Sequence, residues 1–183
     1  SLRVHGDHNI LNALAAIALA DLLGLSDEVI HAGLAAFTGT DRRFEYKGQV
    51  NGVNIIDDYA HHPTEIRATL SAAAQYPHRR LWCVFQPHTY TRTKAFLEEF
   101  ASALSLADEI ILADIYAARE KDTLGISSET LQEKIRSLGH SCHYFPTFEA
   151  IENYLLKNCT KDDLLITMGA GDVVKVGENL LQK

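Results

Sequence analysis

Apolar and polar positions along this 183-residue chain divide it into three zones. Residues 9–23 are Ala- and Leu-rich and read as a helix. Gly24 breaks it, and a second helix follows with Ser26 as predicted N-cap and Asp27 and Glu28 in its first turn. After a linker at 37–43 the period shortens: residues 44–50 and 53–56 read as strands, and Asn51-Gly52 between them is a strong hairpin signal. From there strands and helices alternate. Strands are predicted at 81–85, 109–113, 142–145 and 164–168, and helices at 66–76, 93–106, 127–138, 148–156 and 173–181. The near-continuous apolar run at 81–85 is what a parallel strand buried on both faces requires. The pattern predicts an α/β fold, a three-layer Rossmann-like and mostly parallel sheet with one antiparallel edge, preceded by two helices.

Composition narrows the class. A hydrophobic content of 46% supports a real core, and 17 basic against 24 acidic residues give a net charge of −7, which argues against a nucleic-acid or membrane surface. The three cysteines, Cys83, Cys142 and Cys159, are odd in number and widely spaced, so a disulfide framework or zinc site is disfavoured and a reducing compartment is expected. The longest apolar run, residues 10–23, is interrupted by Asn12 and Asp21, short of the roughly 18 residues a membrane span needs. A cytoplasmic chain is therefore expected. Its opening, Ser1-Leu2-Arg3-Val4-His5-Gly6, resembles no secretion signal and is expected to be the tail of a preceding segment.

The chemistry concentrates where strands give way to helices, the edge at which open α/β sheets place ligands. Asp57-Asp58-Tyr59-Ala60-His61-His62, followed by Pro63-Thr64-Glu65, gathers titratable groups at one such corner. Adjacent imidazoles on extended backbone face opposite sides, which speaks against one shared metal ion. A second corner, Gln86-Pro87-His88-Thr89-Tyr90-Thr91-Arg92-Thr93-Lys94, offers His88 and an Arg92 fork suited to a carboxylate or phosphate. Gly169-Ala170-Gly171-Asp172 allows close backbone approach to a ligand, although a tight strand-to-helix turn needs glycine in any case. Asn9 and Asn12, three apart at a helix start, either cap that helix or offer paired carboxamides to an adenine edge. No G-x-x-x-x-G-K-[ST] loop occurs.

In order along the chain these motifs resemble the back half of the Mur ligases, the ATP-dependent enzymes that build the peptide of peptidoglycan. Gly6-Asp7-His8-Asn9-Ile10-Leu11-Asn12 is similar to the end of that family's central ATPase domain, and Asp41-Arg42-Arg43-Phe44-Glu45 to the start of its C-terminal domain. The two polar corners and Met168-Gly169-Ala170-Gly171-Asp172 complete the set, in the form of the branch that adds L-alanine. The resemblance implies a division into residues 1–38, the last helices of a truncated central domain, and 39–183, an amino-acid-binding domain. It implies that Asn9 and Asn12 contact the adenine of ATP, that Arg43 and Asp58 reach the nucleotide, and that His61, His88 and Arg92 act near the incoming amino acid. Tyr59 and Gly169, Ala170, Gly171 and Asp172 are implied to line the same pocket. Thr89 departs from the pattern, since that branch usually carries arginine there, and a second substrate-holding cation is missing.

The implied reaction joins L-alanine to UDP-N-acetylmuramate through an acyl phosphate, with ATP and Mg2+. The metal ligands, the phosphate loop and the uridine site are expected in the N-terminal and central domains of the same polypeptide. Two rivals stay open: a recycling ligase that adds a preformed tripeptide to the same sugar nucleotide, and a non-catalytic nucleotide-binding module. Folylpolyglutamate synthase shares the architecture but is not expected to carry the double-histidine corner.

Overall fold

The computed structural model describes residues 2–4 and 6–183, and of residues 7 and 8 the backbone alone, so the side chains of Asp7 and His8 in the opening motif lie outside the described residues. Helices α1 (Asp7–Leu22) and α2 (Asp27–Ala36) lead into the hairpin β1 (Glu45–Val50) and β2 (Val53–Asp58). Asn51 and Gly52 adopt φ of 50° and 79° and set Val50 opposite Val53, the doubly positive turn that matches strand twist. The chain then runs through α3 (Pro63–Ala74), β3 (Leu81–Phe85), α4 (Tyr90–Ala95), α5 (Leu97–Leu104), β4 (Glu109–Leu112), α6 (Ser128–Ser137), β5 (Cys142–Tyr144), α7 (Phe148–Asn158), β6 (Leu164–Met168) and α8 (Val174–Leu180).

Among the described residues these strands form a six-stranded sheet in the order β1-β2-β6-β3-β4-β5, parallel except for the β1–β2 edge. Strand residues alternate between two buried layers. Leu81, Cys83 and Phe85 pack with Ile66 and Leu70 of α3, Phe100 of α5 and Leu131 of α6. Trp82 and Val84 pack with Ile151 and Leu155 of α7 and Val176 of α8. The expected three-layer, mostly parallel α/β fold with one antiparallel edge is thus present.

Three local expectations change. The helix expected over 93–106 is broken at Phe96 (φ −117°, ψ 27°), so α4 and α5 are separate. The helix expected from Ile66 starts at Pro63, since proline is pre-set for a first helical position. Asn9 lies inside the first turn of α1 rather than capping it, and Ser26 occupies the N-cap of α2 without a side-chain capping bond.

Candidate functional site

Strand order decides where ligands have room. β6 is inserted between β2 and β3, and the chain leaves β3 toward α4 on one face of the sheet but leaves β6 toward α8 on the other. Connections that diverge in this way open a crevice at the carboxyl ends of the strands. Three polar segments meet there: residues 57–62 at the end of β2, 86–92 after β3 and 169–172 after β6.

The corner after β2 is held by its own acids. Asp57, fully buried, receives Arg42 Nε at 2.8 Å on one carboxylate oxygen and the Thr167 hydroxyl at 2.7 Å on the other. Asp58 accepts the backbone N–H groups of Ala60 and Phe44, each at 2.8 Å. Burial raises its pKa, against the pull of those two N–H groups and of Arg43. Glu65 accepts the N–H groups of His61 and His62 at 3.0 and 3.2 Å, while His62 Nδ1 accepts from Thr64 N–H, so both histidines enter α3 through a reciprocal cap.

The imidazoles converge. The His61 and His88 rings lie 5.6 Å apart between centroids, Tyr59 stands edge-on to His61 at 5.5 Å, and Tyr116 stacks on the far side of His88 at 5.7 Å. His61 Nδ1 is 3.0 Å from the Tyr59 carbonyl. A carbonyl only accepts, so Nδ1 carries the proton and Nε2 is left as the acceptor of the neutral ring. Arg92 Nη1 stands 3.5 Å from His88 Nδ1. Burial, then the neighbouring Arg92 and His61, lowers the pKa of His88, with Glu120 opposing. The structure therefore brings Tyr59, His61, His88 and Arg92 together. Gly171 belongs to the same wall, because a Cβ there would fall 2.4 Å from Gln86 Oε1 and 2.9 Å from the Tyr116 ring. Asp172 is exposed and paired with Lys175 at 3.1 Å, and Ala170 is half-buried between the two glycines.

Thr89, where arginine was expected, is the N-cap of α4, at φ 65° and ψ 146°, and its hydroxyl faces the Arg92 N–H at 3.5 Å. Tyr116 and Glu120, which completes this cap by accepting from Thr91 N–H at 2.9 Å, come from residues 113–127. No motif in the sequence marks that segment. Its length was the available signal, since long unstructured connections inside compact domains are commonly functional.

A second group lies on the α1 side. Asn9, Asn12, Arg43, Phe44, Asp58 and Thr64 share the lining of one groove of about 630 Å³, within the range of small-molecule sites. The Asn12 carboxamide faces that of Asn9 at 3.4 Å. The four residues expected to meet a nucleotide thus line a single cavity, with a carboxamide pair on one wall and a guanidinium on the other. Asp58 also holds the corner, each of its oxygens accepting one backbone N–H and keeping a second lone pair.

The class is a Rossmann-like α/β domain, a mostly parallel sheet with a carboxamide–guanidinium groove on one side and an imidazole–guanidinium corner on the other. The chain belongs to the Mur ligase family: the family model described as "Mur ligase, glutamate ligase domain" matches residues 42–171. It is 64% identical over 182 residues to a UDP-N-acetylmuramate–L-alanine ligase of Agathobacter rectalis and 65% identical over 182 residues to one of Lachnospira eligens. In each case 100% of this chain is covered and 40% of the relative, so the chain spans about two-fifths of their length. The crystal structure of the UDP-N-acetylmuramate-alanine ligase MurC of Thermotoga maritima superposes with a TM-score of 0.82 at 30% identity, covering 99% of this chain and 38% of that one. A murein peptide ligase of Psychrobacter arcticus follows with a TM-score of 0.74 at 29% identity, covering 97% and 37%.

Proposed function

We propose that this chain is the C-terminal part of an ATP-dependent ligase that joins L-alanine to UDP-N-acetylmuramate in cytoplasmic peptidoglycan synthesis. The observation that carries the reading is the 64–65% identity, over the whole chain, to ligases of that name. The geometry supports it from two sides. The groove of Asn9, Asn12 and Arg43 suits ATP: the carboxamides can pair with an adenine edge, and the guanidinium with phosphate or ribose oxygens. On the other side Arg92 offers a fork to the carboxylate of the amino acid, and His61, with Nδ1 turned to the Tyr59 carbonyl, presents Nε2 toward its amine. His88, whose charged form is disfavoured beside Arg92, adds no competing cation. Residues 1–38 are read as the end of the central domain, and 39–183 as the amino-acid-binding domain.

In the reaction the muramyl carboxylate takes the γ-phosphoryl group, and the amine then displaces phosphate. The work of this chain is to orient the amine and keep its lone pair free for attack rather than leave the field to water. Mg2+ held with ATP supplies charge neutralisation during phosphoryl transfer. We assign the ligands of that metal to the rest of the polypeptide. The site is complete only when domains close, so residues 1–183 alone are expected not to turn over.

The test is phosphate release by the full-length ligase with ATP, Mg2+ and UDP-N-acetylmuramate, comparing L-alanine with the tripeptide. Turnover with L-alanine is expected. Turnover with the tripeptide alone would make it the recycling ligase, and turnover with neither would leave a non-catalytic nucleotide-binding module.

A further inference from the structure

Arg42 and Arg43 are neighbours in sequence but serve different sides of the site. Arg42 has φ 57° and Phe44 φ 49°, both in the left-handed region, uncommon for side-chain-bearing residues and held only where the surroundings over-determine it. The surroundings do so here. Arg42 N–H donates to Glu45 at 2.8 Å, Arg43 N–H to the Thr40 carbonyl at 3.1 Å and Phe44 N–H to Asp58 at 2.8 Å, while the Arg42 carbonyl accepts Tyr59 N–H at 2.7 Å. The turn sends Arg43 to the groove of Asn9 and Asn12. It sends Arg42 the other way, where Nε meets the buried Asp57 at 2.8 Å, Nη2 the Gly169 carbonyl at 2.8 Å and Nη1 the Gly171 carbonyl at 3.3 Å. Both guanidiniums nonetheless share the Tyr59 ring, Arg42 at 4.9 Å and Arg43 at 5.5 Å from its centroid, so the two side chains part around that ring.

The geometry points to Arg42 as a positioning residue that ties the two sides of the site together. One planar cation fixes the Gly169–Gly171 turn against β2, and the same residue's backbone fixes the direction of Arg43. Asp57 and Thr167 are its anchor: the carboxylate is wholly buried and shared between the Thr167 hydroxyl and Arg42. Disturbing Arg42 should therefore weaken binding of amino acid and nucleotide together, although it faces neither the Asn9–Asn12 groove nor the imidazoles. This rests on the ligase reading above.

The test uses the full-length ligase and Arg42→Lys. Lysine keeps the charge beside Asp57, and with it the fold, but cannot reach both carbonyls as a fork does. Wild-type turnover comes first, since its absence would sink the ligase reading and leave the role of Arg42 to hydrogen exchange alone. With wild type active, KM is expected to rise about tenfold or more for both L-alanine and ATP, a displacement near 1 Å being worth up to about 100-fold in rate. Arg43 lines the Asn9–Asn12 groove and reaches the other side only through Tyr59, so Arg43→Gln is expected to raise KM for ATP more than for L-alanine. Amide exchange at 42–44 and 169–172 should quicken at least tenfold in Arg42→Lys, with the thermal midpoint close to wild type. Unchanged KM values, a rise in only one of them, or unchanged exchange at 169–172 would overturn the inference. Arg42→Ala with added guanidinium supplies a second check: the free cation should restore part of both KM values, and failure to do so in a folded variant counts against the role.

Discussion

His88 shows how a residue's chemistry is set by what surrounds it. Partial burial and the Arg92 guanidinium lower its pKa below the ordinary histidine value of about 6.5. The sign for stability follows. In the window between the folded and unfolded pKa values the unfolded chain binds more protons, so the neutral ring's contribution is present above about pH 6.5 and declines as pH falls through the folded pKa. Imidazole NMR titration of the chain should find His88 below the ordinary value. Arg92→Gln should move it upward, because one of the lowering charges is gone; a midpoint at or above the ordinary value, or no response to Arg92→Gln, would refute this account. At this scale the sequence was informative about which residue types gather, since Tyr59, His61, His88 and Arg92 do converge. The resemblance singled out Arg43 for the nucleotide but gave the neighbouring Arg42 no role. Two left-handed backbone residues send those side chains apart, and the spacing of the motif carries no trace of that. Nor could it place Gln86 or Tyr116 against Gly171, a contact between segments far apart in the chain.

Elements were legible wherever local chemistry and burial agreed. The Asn51-Gly52 hairpin and the buried strands at 81–85 and 164–168 follow directly from their composition. The strand order does not, because the insertion of β6 between β2 and β3 is decided by packing of α7 and α8 on the opposite face rather than by any local signal. The start of α3 is a case between the two. Proline at its first position and Glu65 at its third announce a cap, but the capping residue is a histidine, outside the usual Ser, Thr, Asp and Asn set. Glu65 takes two N–H groups, those of His61 and His62, and thereby fixes the corner that carries both imidazoles. Glu65→Ala should destabilise the chain by about 1 kcal/mol, the usual cost of a lost cap, whereas Glu65→Gln, which keeps an acceptor, should lose less than half of that. Urea unfolding of the three proteins measures it, and equal losses for both variants would show that the carboxylate acts by charge instead of by accepting the two N–H groups.

At the scale of the molecule the two ends of the chain are unlike. Residues 42–183 bury a continuous double core, whereas α2 has no buried residue, and α1 leaves Leu11 and Leu22 at 67% and 84% exposure and Leu23, its C-cap, at 70%. Exposed apolar surface of that extent ordinarily faces another body of protein, in keeping with a chain that matches about two-fifths of its relatives' length. Such a helix pair contributes little to folding of the remainder, so local opening should begin there at low cost. The boundary should be sharp, because Phe37, Thr38 and Thr40 are exposed while Arg42, Arg43 and Phe44 are pinned by four backbone hydrogen bonds to Glu45, Thr40, Asp58 and Tyr59. Brief digestion of the 183-residue chain with a broad-specificity protease should therefore leave a resistant core whose N-terminus, read by mass spectrometry, falls between residues 38 and 42. A resistant product that keeps α1 and α2 would mean that those helices are bound to the sheet more firmly than their exposure implies. A first cut within 114–126 would mean that the segment bearing Tyr116 and Glu120 is the weaker one, in spite of its hydrogen bonds to Pro87, Thr89 and Thr91. Cleavage at 38–42 instead places the mechanical joint of the molecule directly beside Arg43, so that any movement of the helix pair against the sheet changes the groove in which Asn9, Asn12 and Arg43 meet.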